Sequence, residues 1–300
     1  MEKLIQRAQV LQEALPYIRE FHGKTFVIKL GGSAMKDESL RESFARDVVL
    51  LKYVGINPVV VHGGGPQINE TLQKFGVKPE FVGGVRKTSE ETMHIVEMVL
   101  SGDVNKDIVA LINRYSGEKV YAVGISGRDG RLLRARKLEK DEYFKELGIE
   151  APADDVGLVG EVEEVNSELI NSLIERNFIP VIAPVGVGED GSAYNINADF
   201  ASYHIAVSLK AKKLIYLTDT QGVLDRSGNL IATLGINKAM EMIKEGVIGG
   251  GMIPKVLSAV RAVEGGVEKV HIIDGRVRHS LLLEIFTEEG IGTEVVPQQT

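Results

Sequence analysis

Apolar residues recur along this chain in two alternating periods. TFVIKL (Thr25 to Leu30) is a short continuous apolar run of the kind that makes a buried strand. SLRESFARDVVLLKYVG then sets Leu40, Phe44, Val48 and Leu51 on one helical face and stops at Gly55. NPVVVH is a second buried strand and PQINETLQKFG a second helix. SEETMHIVEMVL follows as a helix, with Thr88 and Glu91 spaced as a capping box, and DVNKDIVALINRYSG continues it. KVYAVGI is a strand. Residues 128 to 165 give strands and turns without a helical period. After a helix at NSELINSLIERN and a strand at FIPVIAPV, the pattern continues as helix (NADFASYHIAVSLKA) and strand (KLIYLTDT). Two helices (NKAMEMIKEG, PKVLSAVRAVEGG), a strand (KVHIID) and a helix (RVRHSLLLEIFTEEG) complete it. Such alternation predicts an α/β protein whose parallel sheet is covered on both faces.

Two stretches stand outside the alternation. In residues 1 to 22, Leu4, Ala8, Leu11, Leu15 and Ile18 form one apolar stripe, and Pro16 is expected to kink or split that helix. GVGEDGSAY interrupts the pattern and suggests a soft boundary near residues 183 to 195.

Composition narrows the function classes. The net charge of −7 disfavours nucleic acid or an anionic membrane as partner, and the one dense basic run, Arg131 to Lys137, fits a solvated hairpin or loop. No apolar run is long enough to span a membrane, and the N-terminus lacks the apolar core of a signal peptide. The absence of cysteine removes thiolate chemistry and fits a cytoplasmic protein.

Three local motif matches fail their context. Gly23-Lys24-Thr25 lacks the earlier glycine of a phosphate-binding P-loop and precedes a strand. Gly186, Gly188 and Gly191 match a dinucleotide fingerprint, but Glu189 and Asp190 would face the pyrophosphate. His62-Gly63-Gly64-Gly65 resembles an esterase oxyanion loop, yet no GxSxG pentapeptide accompanies it.

The remaining pattern points to phosphate. Lys29 interrupts an otherwise apolar strand, and a buried lysine is costly unless it meets negative charge. Gly31 and Gly32 follow it as Gly63 to Gly65 follow the next strand. Parallel strands deliver such turns to one edge, where backbone N–H groups can hold an anion. Lys255, in the first turn of a helix after Gly249 to Gly251 and Pro254, opposes the helix dipole, which a bound phosphate would explain. Asn195, Asn197 and Asp199 open another helix and exceed what one cap requires. His62 itself suits a structural role.

KLGG, HGGG, GVRKT, NINAD, YLTDTQGVL and GGGMIPK, in this order and spacing, resemble the amino-acid kinase family over nearly the whole chain from about residue 24, and within it the branch that phosphorylates N-acetyl-L-glutamate with ATP and Mg²⁺. The resemblance implies an open three-layer αβα sandwich around a mainly parallel sheet of about eight strands. It implies an amino-acid lobe over residues 23 to 190 and an ATP lobe over residues 191 to 300. It assigns Lys29 and Lys255 to the transferring phosphoryl group and Asp199 to orienting both lysines. Gly31, Gly32, Gly63 and Gly64 would hold phosphate. Gly64, Gly65, Arg86, Asn195 and Asn197 would hold the amino acid, with Arg86 on its α-carboxylate. Thr218, Asp219, Gly222 and Lys255 would receive the nucleotide. Mg²⁺ would be held by ATP phosphates, with no protein metal site.

Arginine-inhibited members of that branch resemble this chain in an extra N-terminal helix that links dimers into a hexamer, a trimer of dimers. Residues 1 to 22 would be that oligomerisation helix. Lys213, His271, Glu284 and Gly290 would be candidates for an L-arginine effector site. A PII-type signalling protein is a further partner the resemblance admits. Rival readings are a carrier-linked aminoadipate or glutamate kinase of the same family and a non-catalytic arginine sensor. Carbamate and uridylate kinases are less alike in GVRKT and NINAD.

Overall fold

A computed structural model describes residues 2–35, 37–146, 150–151 and 153–298; the side chains of residues 2–4, 6–8, 10, 11, 33, 34 and 146 lie outside the description. Eight strands form the main sheet: β1 (Thr25–Leu30), β2 (Asn57–His62), β3 (Tyr121–Ser126), β4 (Phe178–Ala183), β5 (Lys213–Thr218), β6 (Thr233–Gly235), β7 (Lys269–Asp274) and β8 (Thr293–Val296). Their order is β6-β8-β7-β5-β1-β2-β4-β3. The six from β7 to β3 run parallel, and β8 pairs antiparallel with β7. The expected α/β sandwich is therefore borne out.

The two-residue period of β1 sorts its side chains between two cores. Phe26, Ile28 and Leu30 join the core beneath the Glu38–Tyr53 and Asn105–Ser116 helices. Val27 joins the core beneath the Ala198–Ser208 and Met252–Glu264 helices. Lys29 continues the Val27 face, so strand periodicity alone aims it at the second helical layer. β1 lies between β2 and β5, where the chain turns from building one side of the sheet to the other. A crevice forms at such a switch point beyond the strand ends.

Beside the sheet, Leu133–Lys137, Val159–Val165, Val185–Val187 and Ala193–Ile196 close into a small barrel. GVGEDG is the turn of its antiparallel hairpin, with Asp190 accepting from Ser192 N at 2.9 Å. Most of the basic run, Leu133–Lys137, is one of its strands, paired antiparallel with Val159–Val165 and not a hairpin or loop, while Arg131 lies in the turn before it. Arg134 pairs with Glu164 at 2.5 Å, Arg136 with Glu161 at 3.2 Å and Lys137 with Asp155 at 2.8 Å. Those acids cancel the basic character of the run.

Several sequence expectations are corrected. Ser89, not Thr88, caps the Glu90–Glu97 helix, its hydroxyl accepting from Thr92 N at 3.2 Å; Thr88 turns inward to donate to Arg86 O at 2.8 Å. A short helix, Lys140–Glu146, lies inside the 128–165 stretch; seven largely charged residues are too few to show a period. The final helix spans only Ser280–Phe286, because His279 takes a left-handed φ of 59° immediately before it. The N-terminal helix runs unbroken as Glu2–Phe21 with Pro16 inside, so the proline does not split it. In its stripe, Leu4, Ala8 and Leu11 fall outside the described side chains; Leu15 is exposed and Ile18 half-buried. No helix among the described residues is long and apolar enough to cross a membrane.

Candidate active site

A cavity of about 320 Å³ opens at the switch point. Of the residues singled out from sequence, Lys29, Gly63, Gly64, Gly65, Arg86, Asn195, Asn197 and Asp199 line it together. They come from the end of β1, the β2 turn, the Phe81–Val82/Val85–Arg86 hairpin, the barrel strand Ala193–Ile196 (Asn195) and the start of the Ala198–Ser208 helix. Two helix N-termini face it: that of Gly65–Lys74, capped by Gly64 without a side-chain bond, and that of Ala198–Ser208. Asn197 caps the latter, its side chain accepting from Asp199 N at 2.8 Å.

Asp199 joins two cations. Lys255 Nζ lies 2.9 Å from one carboxylate oxygen and Lys29 Nζ 3.0 Å from the other. The second contact is an ion pair without hydrogen-bond alignment. Burial alone would raise the Asp199 pKa, but the Lys255 and Lys29 ammonium groups overcome it and hold the carboxyl well below its usual range. Burial lowers the pKa of Lys255, and the Asp199 charge opposes that shift. Two cations share the Asp199 carboxylate, and the Asp219 charge acts on Lys255 more weakly, so an anion in the cavity would complete the neutralisation of the pair.

Arg86 is buried, with its guanidinium 4.7 Å from the Phe81 ring centroid and Nη2 donating to Gly65 O at 3.3 Å. Its Nη1 is buried and has no hydrogen-bond partner among the described residues. A buried guanidinium N–H left unbonded is costly and fits a carboxylate arriving from the cavity. Asn195 donates to Thr88 Oγ1 at 3.3 Å.

Gly31 and Gly32 lie outside the cavity wall. A Cβ at position 31 would overlap Lys29 Nζ, and one at position 32, where φ is +65°, would overlap the Asp219 carboxylate. These glycines make room for charged side chains, a role the sequence did not disclose. Thr218, Asp219 and Gly222 sit at and beyond the end of β5, also outside the cavity. Gly222 has a φ of +149° and packs against Thr293 Oγ1. Among the described residues no cluster of three or more His, Asp or Glu could hold a metal ion.

Sequence reasoning missed the far wall of the cavity, where Tyr143, Phe200, Tyr203, His204 and Arg261 gather. Tyr203 follows Asp199 by four residues, and His204 follows Phe200 by four. That helical spacing was the available signal. Burial, and then the Arg261 charge, bring the His204 pKa down to about 4, so it stays neutral.

A second cluster lies apart. Lys213 Nζ donates to His271 Nε2 at 2.9 Å, and His271 Nδ1 donates to Glu284 Oε1 at 2.6 Å. The other Glu284 oxygen accepts from Ile291 N at 2.6 Å, beside Gly290. Lys213 also stands 5.2 Å from the Phe21 ring centroid, at the end of the N-terminal helix. Burial, reinforced by Lys269, pulls the Lys213 pKa down to about 8.

The amino acid kinase family model matches residues 24–274. The chain belongs to the amino acid kinase family. This kinase is 73% identical over 295 residues to acetylglutamate kinase of Aquifex aeolicus, covering 98% of this chain and 99% of that one. It is 57% identical to acetylglutamate kinase of Sulfurihydrogenibium sp., at 98% and 99% coverage. N-acetylglutamate synthase from Neisseria gonorrhoeae, solved with coenzyme A and N-acetyl-glutamate, superposes with a TM-score of 0.82 at 28% identity. The likeness to the synthase covers 98% of this kinase and 64% of that chain. This likeness to acetylglutamate kinases over nearly the whole chain supports an enzyme and not the non-catalytic sensor reading.

Proposed function

We propose that this kinase transfers the γ-phosphoryl group of ATP to the side-chain carboxylate of N-acetyl-L-glutamate, a step of arginine biosynthesis in the cytoplasm. The observation that carries the reading is the unbonded Nη1 of buried Arg86 in the same cavity that Lys29 and Asp199 close. One anchor takes an α-carboxylate while the cationic end receives the reacting groups. The two acetylglutamate kinases of high identity supply the acyl amino acid as substrate.

The acceptor carboxylate is ionised at neutral pH, so no general base is required. One of its oxygens forms a bond to the γ-phosphorus, and the bond from that phosphorus to the β,γ-bridging oxygen breaks, leaving ADP. The products are an acyl phosphate and ADP, with no proton transferred. The barrier is repulsion between two anions. Lys29 and Lys255 lower it by neutralising charge in line with the transfer, and Gly63 to Gly65 supply backbone donors. Asp199 holds both lysines in place and does not act as a base. Mg²⁺ arrives with ATP as part of that substrate and screens its phosphates. We assign the nucleotide to the 191–300 part of the chain, near Thr218, Asp219, Gly222 and Lys255, and the amino acid to the 23–190 part.

The test is ATP- and Mg²⁺-dependent phosphorylation of N-acetyl-L-glutamate, with the product trapped as its hydroxamate. Turnover is expected. No turnover with ATP binding intact would move the substrate to a carrier-linked aminoadipate or glutamate. Arg86→Ala is expected to raise the KM for the amino acid by roughly tenfold or more, the scale of losing one charge-assisted carboxylate contact. It should leave kcat much less affected; an unchanged KM would mean the anchor is misassigned.

We further propose that L-arginine inhibits the enzyme. Lys213, His271, Glu284 and Gly290 bring two β-strands, the C-terminal segment and Phe21 of the N-terminal helix to one place, which supports an effector acting through that helix. Deleting residues 1 to 20 should reduce a hexamer to dimers, measured by light scattering, and weaken the arginine response. A truncated enzyme unchanged in both would overturn this assignment.

A further inference from the structure

His62 is fully buried at the end of β2 and takes no direct part in the chemistry above. Its Nδ1–H donates to the carbonyl of Gly63 at 2.8 Å, and its Nε2 accepts from Asn105 Nδ2 at 3.1 Å. A carbonyl only accepts, so these partners fix the tautomer. Asn105 is also buried. Its Nδ2 donates to Val181 O at 3.0 Å, and its Oδ1 accepts from Lys106 Nζ at 3.0 Å. The ring is therefore held from both sides. Burial lowers its pKa to about 4, and it stays neutral at working pH.

The Gly63–Gly64 peptide is trans, like every described peptide, so its carbonyl and N–H point in opposite directions. With the carbonyl bonded to the buried imidazole, the Gly64 N–H points away from that ring, and Gly63 and Gly64 both line the cavity. Neither residue has a side chain to restrict that peptide. A Cβ at position 63 would meet nothing closer than Leu30 O at 3.8 Å. Glycines that let substrate approach the backbone also let the backbone rotate.

We propose that His62 is a positioning residue. By holding the Gly63 carbonyl it aims the Gly64 N–H at the phosphoryl group in transfer, supplying the rigidity that the glycines lack. This inference rests on the phosphoryl-transfer reading of the same cavity.

Two substitutions separate this role from packing. His62→Asn places an amide nitrogen where Nδ1 stands, and His62→Gln places one near Nε2. The Asn variant is expected to retain kcat within about threefold of the wild type. The Gln variant should lose about tenfold or more in kcat at unchanged KM, short of the ~10²–10³-fold cost of removing an oxyanion donor outright. Equal kcat in the two folded variants would overturn the proposal. A readout on the unaltered enzyme does not depend on variant folding. The ¹⁵N–¹H resonance of Gly64 should shift when MgADP, aluminium fluoride and N-acetyl-L-glutamate are added together, and a resonance that stays in place would equally overturn it. Wild-type enzyme without turnover would instead sink the functional reading on which it stands.

Discussion

Lys255→Ala is expected to lower kcat by roughly 10²–10³-fold, the scale of removing one preorganised group that stabilises transition-state charge. Lys255 is 6% exposed and bonded to Asp199, so its ammonium is already in place before substrate arrives. Nothing needs to reorganise when charge migrates between the phosphoryl oxygens. The fold should survive, because Asp199 keeps Lys29 as its partner at 3.0 Å. Circular dichroism and calorimetric ATP binding would establish that the variant is folded and loaded. Near-normal kcat in such a protein would remove Lys255 from the mechanism.

Asp199→Asn should reduce kcat comparably and, in addition, shift its pH dependence. Removing the carboxylate removes the influence that raises the pKa of Lys255, while burial continues to lower it. The lysine then loses its proton at lower pH, so the alkaline limb of kcat should move downward from its wild-type position. An organiser that acted only through shape would leave that limb where it is. Stability should fall as well, by about 3–5 kcal/mol, since two buried ammonium groups lose their counter-charge. In the wild type the Asp199 pKa lies below the ordinary carboxylate value. Its contribution to stability is therefore present above that ordinary value and is lost only as pH falls through the depressed one. Thermal denaturation of both proteins from neutral to strongly acidic pH would show their difference closing at the acid end.

These two experiments probe a cluster that was legible in the sequence to an unusual degree. Lys29 in an apolar strand and Lys255 in a first helical turn each violate a local preference, and each violation marked a functional group. Asn197 violated nothing and turned out to be a helix cap as well as a wall of the cavity. The far wall was harder to see. Tyr203 and Phe200 suit any amphipathic helix, and Arg261 any helix surface, so no residue there was out of place in its own segment. The short Lys140–Glu146 helix escaped because seven residues span barely two turns. The Thr88 capping box failed because tertiary contacts claimed the Thr88 hydroxyl and left the cap to Ser89.

The alternation of strands and helices, the glycine turns at two strand ends and the cations with no local reason to be there can all be read from the order of residues. Those features follow from backbone sterics, side-chain periodicity and the cost of burying charge, all of which act over a few residues. Which charges meet follows from long-range packing. Lys29, Asp199 and Lys255 lie far apart in sequence, yet the strand order puts β1 beside β5 and the helices at 198 and 252 over the same face. The same packing gave Gly31 and Gly32 their reason, as space for Lys29 and Asp219, and brought Asn105 to the buried ring of His62. Contacts between distant segments depend on how the sheet is ordered and which face each helix covers, and no local pattern encodes that choice.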